Sequence, residues 1–167
     1  MRKLLMIIGI CFGQSLFAAD GPCGSNEHRQ FDFWLGNWTA YSEDGATKYG
    51  TNHLKSMMGG CVMQENCQSG NGQYGGTSYN FYSNATGKWH QTWVDNAGGH
   101  LFLEGEFKRG AMRLEGKRKD QEGRKVLDRI TWTPQEDGRV RQHWQMTNDG
   151  GKTWQVLFDG YYTRNPE

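Results

Sequence analysis

Charge of one sign is missing from this chain. Its 19 lysines and arginines nearly balance its 18 aspartates and glutamates, so it carries no electrostatic footprint for nucleic acid. Long apolar runs are missing too: the mean hydropathy of −0.84 excludes a polytopic membrane protein. Proline is scarce, with 3 in 167 residues, and no linker or low-complexity tract interrupts the chain, which reads as one domain. Abundant instead are glycine, with 24 residues, and aromatic side chains at 13%, including 7 tryptophans. That much large apolar surface argues against disorder. The balance points to an all-β domain.

The first residues read as a secretory signal over 1–19. Arg2 and Lys3 form a positive start, Leu4 to Phe17 is apolar with breaks at Gly9, Gly13, Gln14 and Ser15, and Ala18-Ala19 supplies small residues for cleavage. The run is shorter than the roughly 20 apolar residues of a membrane span. The expectation is export to a periplasm or the outside, with no stable membrane insertion after cleavage. Removing 1–19 leaves 167 − 19 = 148 residues as one domain over 20–167, and takes the net charge from +1 to −1 by removing two positive charges. Three cysteines then remain, Cys23, Cys61 and Cys67. Cys61 and Cys67 fall in one extended run, roughly 20 Å apart at strand rise, too far to bridge. Any disulfide must use Cys23; Cys23–Cys61 is preferred, and three unpaired thiols are the alternative.

Turn signals recur about every 8–12 residues, the spacing of an antiparallel sandwich or barrel. Runs near 37–43, 48–57, 61–68, 75–83, 88–95, 100–108, 111–119, 124–133, 139–147 and 153–164 predict about ten strands. Only His28–Leu35 reads as a short helical turn. Alternation assigns faces: Leu101, Leu103 and Phe107, then Met112 and Leu114, then Val140, Gln142, Trp144 and Met146, then Trp154, Val156, Phe158 and Tyr162 all point inward. The turn at Arg109-Gly110 pairs Phe107 with Met112, and a five-residue loop at 134–138 pairs Trp132 with Val140. Between Asp95 and His100 the register is ambiguous, and one residue of slip exchanges Trp93 for Val94 on the inside. Every connection is short enough for neighbours to pair. An up-and-down barrel, which removes both open edges, is therefore expected over a sandwich.

Phe31-Asp32-Phe33-Trp34-Leu35-Gly36-Asn37-Trp38 is the most informative segment. A helical turn running into Gly36-x-Trp38 at the first strand resembles the opening of the calycin, or lipocalin-like, barrels. The resemblance implies that Trp38 packs at the closed end and that a basic residue after the last strand, here Arg164, crosses its ring. With Trp89-His90-Gln91-Thr92-Trp93-Val94-Asp95, Ile130-Thr131-Trp132-Thr133-Pro134 and Gly151-Lys152-Thr153-Trp154, nearly the whole chain after the signal is similar to a bacterial domain family of unknown function that opens on F-D-F-W-x-G-x-W. Its members are often exported and expected to be lipocalin-like barrels, and the family brings no reaction or site. Cys67 departs from the aromatic residue expected there. Thr147-x-Asp149-x-Gly151-x-Thr153-Trp154 also resembles the Asp-box hairpin of sialidase propellers. A single copy cannot build a propeller, and the aspartate reads as a turn closer over a packed tryptophan.

No metal or cofactor site is indicated. His28, His53, His90, His100 and His143 form neither H-x-H nor H-x-x-x-H. No G-x-S-x-G elbow exists, and Cys67 has no base in sequence reach. Polar residues assigned to the inner face draw attention instead. Gln91, Asp128 and Gln142, among Trp93, Trp132, Trp144, Phe158 and Tyr162, have the composition of a small-molecule pocket, apolar walls with sparse polar anchors. A packed core in which these groups satisfy one another is the competing reading. The leading expectation is an exported barrel that binds a small apolar or amphipathic molecule through Gln91, Trp93, Asp128, Trp132, Gln142, Trp144 and Phe158. One alternative makes a desolvated Asp128 a general acid or base for an isomerisation or hydrolysis. Another is an interaction module using outward Arg141, His143 and Tyr161.

Overall fold

Period-two alternation needs a partner for every backbone edge, and the chain meets that need by closing on itself. The structure is a computed structural model describing residues 21–166; the expected signal segment 1–19 lies outside them. A short helix α1 (Asn26–Arg29) and a 3-10 turn (Asp32–Trp34) lead into ten strands: β1 (Gly36–Tyr41), β2 (Lys48–Met57), β3 (Val62–Ser69), β4 (Gly75–Ser83), β5 (Lys88–Asp95), β6 (His100–Lys108), β7 (Ala111–Lys119), β8 (Lys125–Pro134), β9 (Val140–Thr147) and β10 (Gln155–Arg164). Each strand pairs antiparallel with its sequence neighbours, and β1 pairs with β10 from Trp38↔Arg164 to Tyr41↔Tyr161. The result is a closed up-and-down barrel with no free sheet edge. Among the described residues no helix is long and apolar enough to cross a membrane.

The N-terminal turns stopper one end of this barrel. Phe31 and Trp34 are buried there with Trp38, Trp89 and Trp132. Phe31 meets Trp89 and Trp132 edge-on at 5.6 and 5.3 Å, a geometry that sets positive ring edges against negative faces. Trp38 donates its indole N–H to the Trp34 carbonyl at 2.9 Å. Arg164 lies 4.3 Å over the Trp38 ring and donates Nη1 to the Leu35 carbonyl at 2.7 Å. Gly36 permits this approach: its φ is +124°, and a Cβ there would lie 2.1 Å from Arg164 Nη1. Cys23 and Cys61 are bridged, tying the N-terminal tail to the turn between β2 and β3, and Cys67 is free.

Two details of register differ from the sequence reading. Trp132 pairs with Gln142 rather than Val140, which faces Pro134. The strands run two residues further because Gln135 and Arg139 close a tighter turn, with N–H to carbonyl 2.8 Å; an even shift keeps every side chain on its assigned face. In β10 the register shifts between Val156 and Phe158. This irregularity leaves Leu157 without a cross-strand partner and turns Val156 outward, 51% exposed. Trp154 also sits outside, with the Arg129 guanidinium 3.7 Å over its ring. Asp149 closes the preceding turn, accepting the N–H groups of Lys152 and Thr153 at 2.9 and 3.0 Å.

Candidate functional site

Away from the stopper the inner face does not fill the barrel. A cavity of about 340 Å³ remains, and its wall includes the aromatic side chains Trp93, Trp144, Phe158, Tyr162, Tyr49 and Tyr74. Trp93 takes the inner position and Val94 the outer, 47% exposed, which resolves the ambiguous hairpin. Gly76 makes room for the indole, since a Cβ there would meet Trp93 Cζ2 at 2.2 Å. Phe158 meets Tyr49 at 5.6 Å and Tyr162 at 6.4 Å between centroids. Near these rings Tyr74 Oη and Trp93 Nε1 both donate to Asp95 Oδ2, at 3.0 and 3.3 Å.

Thr51, Glu65, Gln68, Ser69, Gln91 and Gln142 bring polar groups into the wall. Gln142 Oε1 accepts the Tyr162 hydroxyl at 2.8 Å. Glu65, an inward residue of β3, is 4% exposed and carries the one carboxyl in the lining. Its oxygens accept Asn52 Nδ2 and Ser78 Oγ at 2.6 Å each, and Gln91 Nε2 at 3.4 Å. All three partners are neutral. Burial pushes the Glu65 carboxyl above its ordinary range, opposed by the hydrogen bonds from Ser78 and Asn52. Two residues on, the Cys67 thiol is pushed up to about 12 by burial and by the charge of Glu65. Tyr162 is raised well above its ordinary value by burial, with Cys67 and Glu65 adding to the shift.

Of the seven residues expected to contact a ligand, Gln91, Trp93, Gln142, Trp144 and Phe158 line the cavity. Trp132 and Asp128 are corrected. Trp132 is buried against Phe31, because the N-terminal stopper occupies that level of the barrel. Asp128 faces inward but is fully buried outside the cavity lining. Its Oδ2 accepts Arg118 Nε at 2.7 Å, and its Oδ1 accepts Trp144 Nε1 at 2.8 Å and Arg118 Nη2 at 3.3 Å. Both oxygens are engaged by Arg118 and Trp144, away from the cavity lining, which gives Asp128 a positioning part beneath Trp144. On the outer face, Tyr161 is buried under Arg139 and Arg141, and Arg141 is held by Asp159 at 2.8 and 2.7 Å.

Sequence reasoning missed Glu65 and Cys67. The signal was present: Met63, Glu65 and Cys67 share one parity, and Met63 is the apolar member that marks the inner face. Among the described residues no group of three or more His, Cys, Asp and Glu side chains could hold a metal ion. No family model matches the chain, and no curated protein sequence matches it.

Proposed function

We propose that this barrel binds a small apolar or amphipathic molecule in its interior and is exported, as a relative of the lipocalin-like barrels. The observation that carries the reading is the hollow of about 340 Å³ with six aromatic residues in its wall and polar groups that include Glu65, Gln91 and Gln142. That volume and composition fall within the range of small-molecule sites. Burying a ligand's apolar surface against such walls supplies about 25 cal/mol per Å², and unmatched polar anchors penalise the wrong ligand. Kinship with the lipocalin-like barrels is supported by Arg164 over Trp38 after Gly36. Export is supported by the Cys23–Cys61 bridge, since disulfides persist in oxidising compartments.

The test is a fluorescence titration with N-phenyl-naphthylamine, a neutral apolar dye that brightens when it leaves water. The wild-type protein is expected to bind it saturably at one site. Trp144→Ala and Phe158→Ala should weaken binding while both variants keep a cooperative thermal transition. Saturable binding unchanged in both variants would place the dye elsewhere and defeat the site assignment.

A further inference from the structure

Glu65 sets the chemistry of the ligand's polar end. Resting on the binding role proposed above, we infer that the cavity takes a molecule carrying a protonated amine beside an apolar or aromatic body, with the ammonium held against the Glu65 carboxylate. An ionised carboxylate offers about four lone-pair sites. Glu65 receives three donors, from Asn52, Ser78 and the longer Gln91 bond, which leaves capacity for another donor from the cavity side. Every one of these protein groups points a donor at the carboxyl, the arrangement that suits the ionised form. Yet no lysine, arginine or histidine lines the cavity. A buried carboxylate without a counter-ion is costly, and a cationic ligand supplies what the wall omits.

The aromatic lining favours the same charge. Trp93, Trp144, Tyr162 and Phe158 surround the hollow, and the faces of such rings attract ammonium groups. An anionic ligand meets the reverse: a carboxyl of like charge, no cation, and the negative faces of the rings. Two further acceptors in the adjoining network, Asn52 Oδ1 and Asn80 Oδ1, are buried without a donor, so this part of the interior has more acceptors than donors.

The pH behaviour follows from the groups around the carboxyl. Asn52 on β2, Ser78 on β4 and Gln91 on β5 face Glu65 and do not titrate. The titratable neighbours are Cys67 on its own strand and Tyr162 on β10, both shifted upward and so uncharged near neutrality. Burial makes the Glu65 carboxyl hold its proton more tightly than a free carboxyl does. An arriving ammonium displaces that proton to the buffer, and amine affinity rises with pH until the carboxyl is ionised.

Three probes with one aromatic body separate the possibilities: naphthylmethylamine, naphthylmethanol and naphthylacetate, each titrated calorimetrically into the wild-type protein near neutral pH. The amine should bind about tenfold or more tightly than the alcohol, and the acid more weakly than either. In Glu65→Gln the preference for the amine over the alcohol should vanish. Equal binding of amine and alcohol to the wild type, or an amine preference that survives in the variant, overturns the ammonium site and leaves the cavity reading standing. Binding of none of the three defeats the cavity reading as well. Should Glu65→Gln fail to fold, the wild type decides alone. Amine titrations from about pH 4 to about pH 9, each in two buffers of different ionisation heat, should reveal net proton release in the part of that range where Glu65 titrates, and alcohol titrations none; equal heats for the amine at every pH overturn the site.

Discussion

Trp144 donates its indole N–H to Asp128 Oδ1 at 2.8 Å, and through that bond a residue with no place in the cavity wall fixes one of its rings. Arg118 grips the other oxygen, so carboxylate, guanidinium and indole form one unit. Asp128→Ala would leave the half-buried indole donor without its partner, at a cost of about 1 kcal/mol. It should also weaken N-phenyl-naphthylamine binding, because the ring loses its anchor. Asp128→Asn keeps an acceptor of the same shape and should keep the dye affinity close to wild type, despite losing the ion pair. Urea denaturation and dye titration on the same samples check both statements. Equal loss of binding in the two variants would mean that the charge, rather than the acceptor, positions the ring.

Gly36 and Arg164 form the second testable unit. The positive φ at Gly36 strains any side chain there, and a Cβ would displace the Arg164 guanidinium, whose Nη1 lies 2.1 Å from its place. Gly36→Ala should therefore cost about 1–3 kcal/mol in backbone strain, with the displaced guanidinium adding to it. Arg164→Met gives up the stacking on Trp38, about 0.5–1 kcal/mol for an exposed pair, and the bond to Leu35. The double variant should lose less than the two singles combined, since without the guanidinium the alanine methyl has nothing to strike. Additive losses in thermal denaturation would show that the two act independently.

The barrel was legible because strand alternation and turn chemistry act locally. Leu101, Leu103, Met112, Leu114 and Val140 are all buried on the face that their parity assigns, and the pairing Phe107↔Met112 follows from its two-residue turn. What escaped were features set by neighbours distant in sequence. The irregularity at Leu157 is invisible to alternation, so Val156 and Trp154 were assigned to the wrong side. Asp128 was placed correctly on the inner face. Its partner Arg118 lies across a hairpin, however, and an inward arginine breaks the binary pattern used to assign faces. Trp132 was placed in the hollow because nothing in its own strand says that Phe31 fills that level. Glu65 was missed for the reason that makes it informative: a carboxyl at an inward position runs against the same pattern.

The raised Glu65 carboxyl has a definite signature in stability. Its proton is held more tightly in the folded chain than in the unfolded one, where the ordinary value is 4.5. The folded state therefore binds more protons between that value and its own, and stability from this group falls as pH rises through the window. Thermal melts of the wild type and Glu65→Gln from about pH 4 to about pH 9 should show the wild type losing ground steadily above its unfolded value, until the carboxyl is ionised. Taking the difference between the two proteins removes the opposite slopes of the depressed carboxyls Asp149 and Asp159. A difference that does not change with pH would mean that Glu65 titrates at its ordinary value.

The cysteines divide stability from binding. Cys23–Cys61 closes a separation of 38 residues, for which chain entropy gives up to about 4 kcal/mol. It joins the N-terminal tail to the turn after β2, and neither residue lines the cavity. Replacing both by serine should lower the urea midpoint substantially and leave dye affinity unchanged. Cys67 is the converse: it lines the cavity, and its thiol is pushed up to about 12, so almost no thiolate exists at mildly alkaline pH. Iodoacetamide should leave Cys67 unmodified in the folded protein and alkylate it readily in urea, because the thiolate is the nucleophile. Fast alkylation of the native chain would mean that water reaches this wall freely, and the polar pole of the cavity would then be solvated rather than dry. In that case Glu65 would have no need of a cation from the ligand, and the amine preference should shrink in the same preparation.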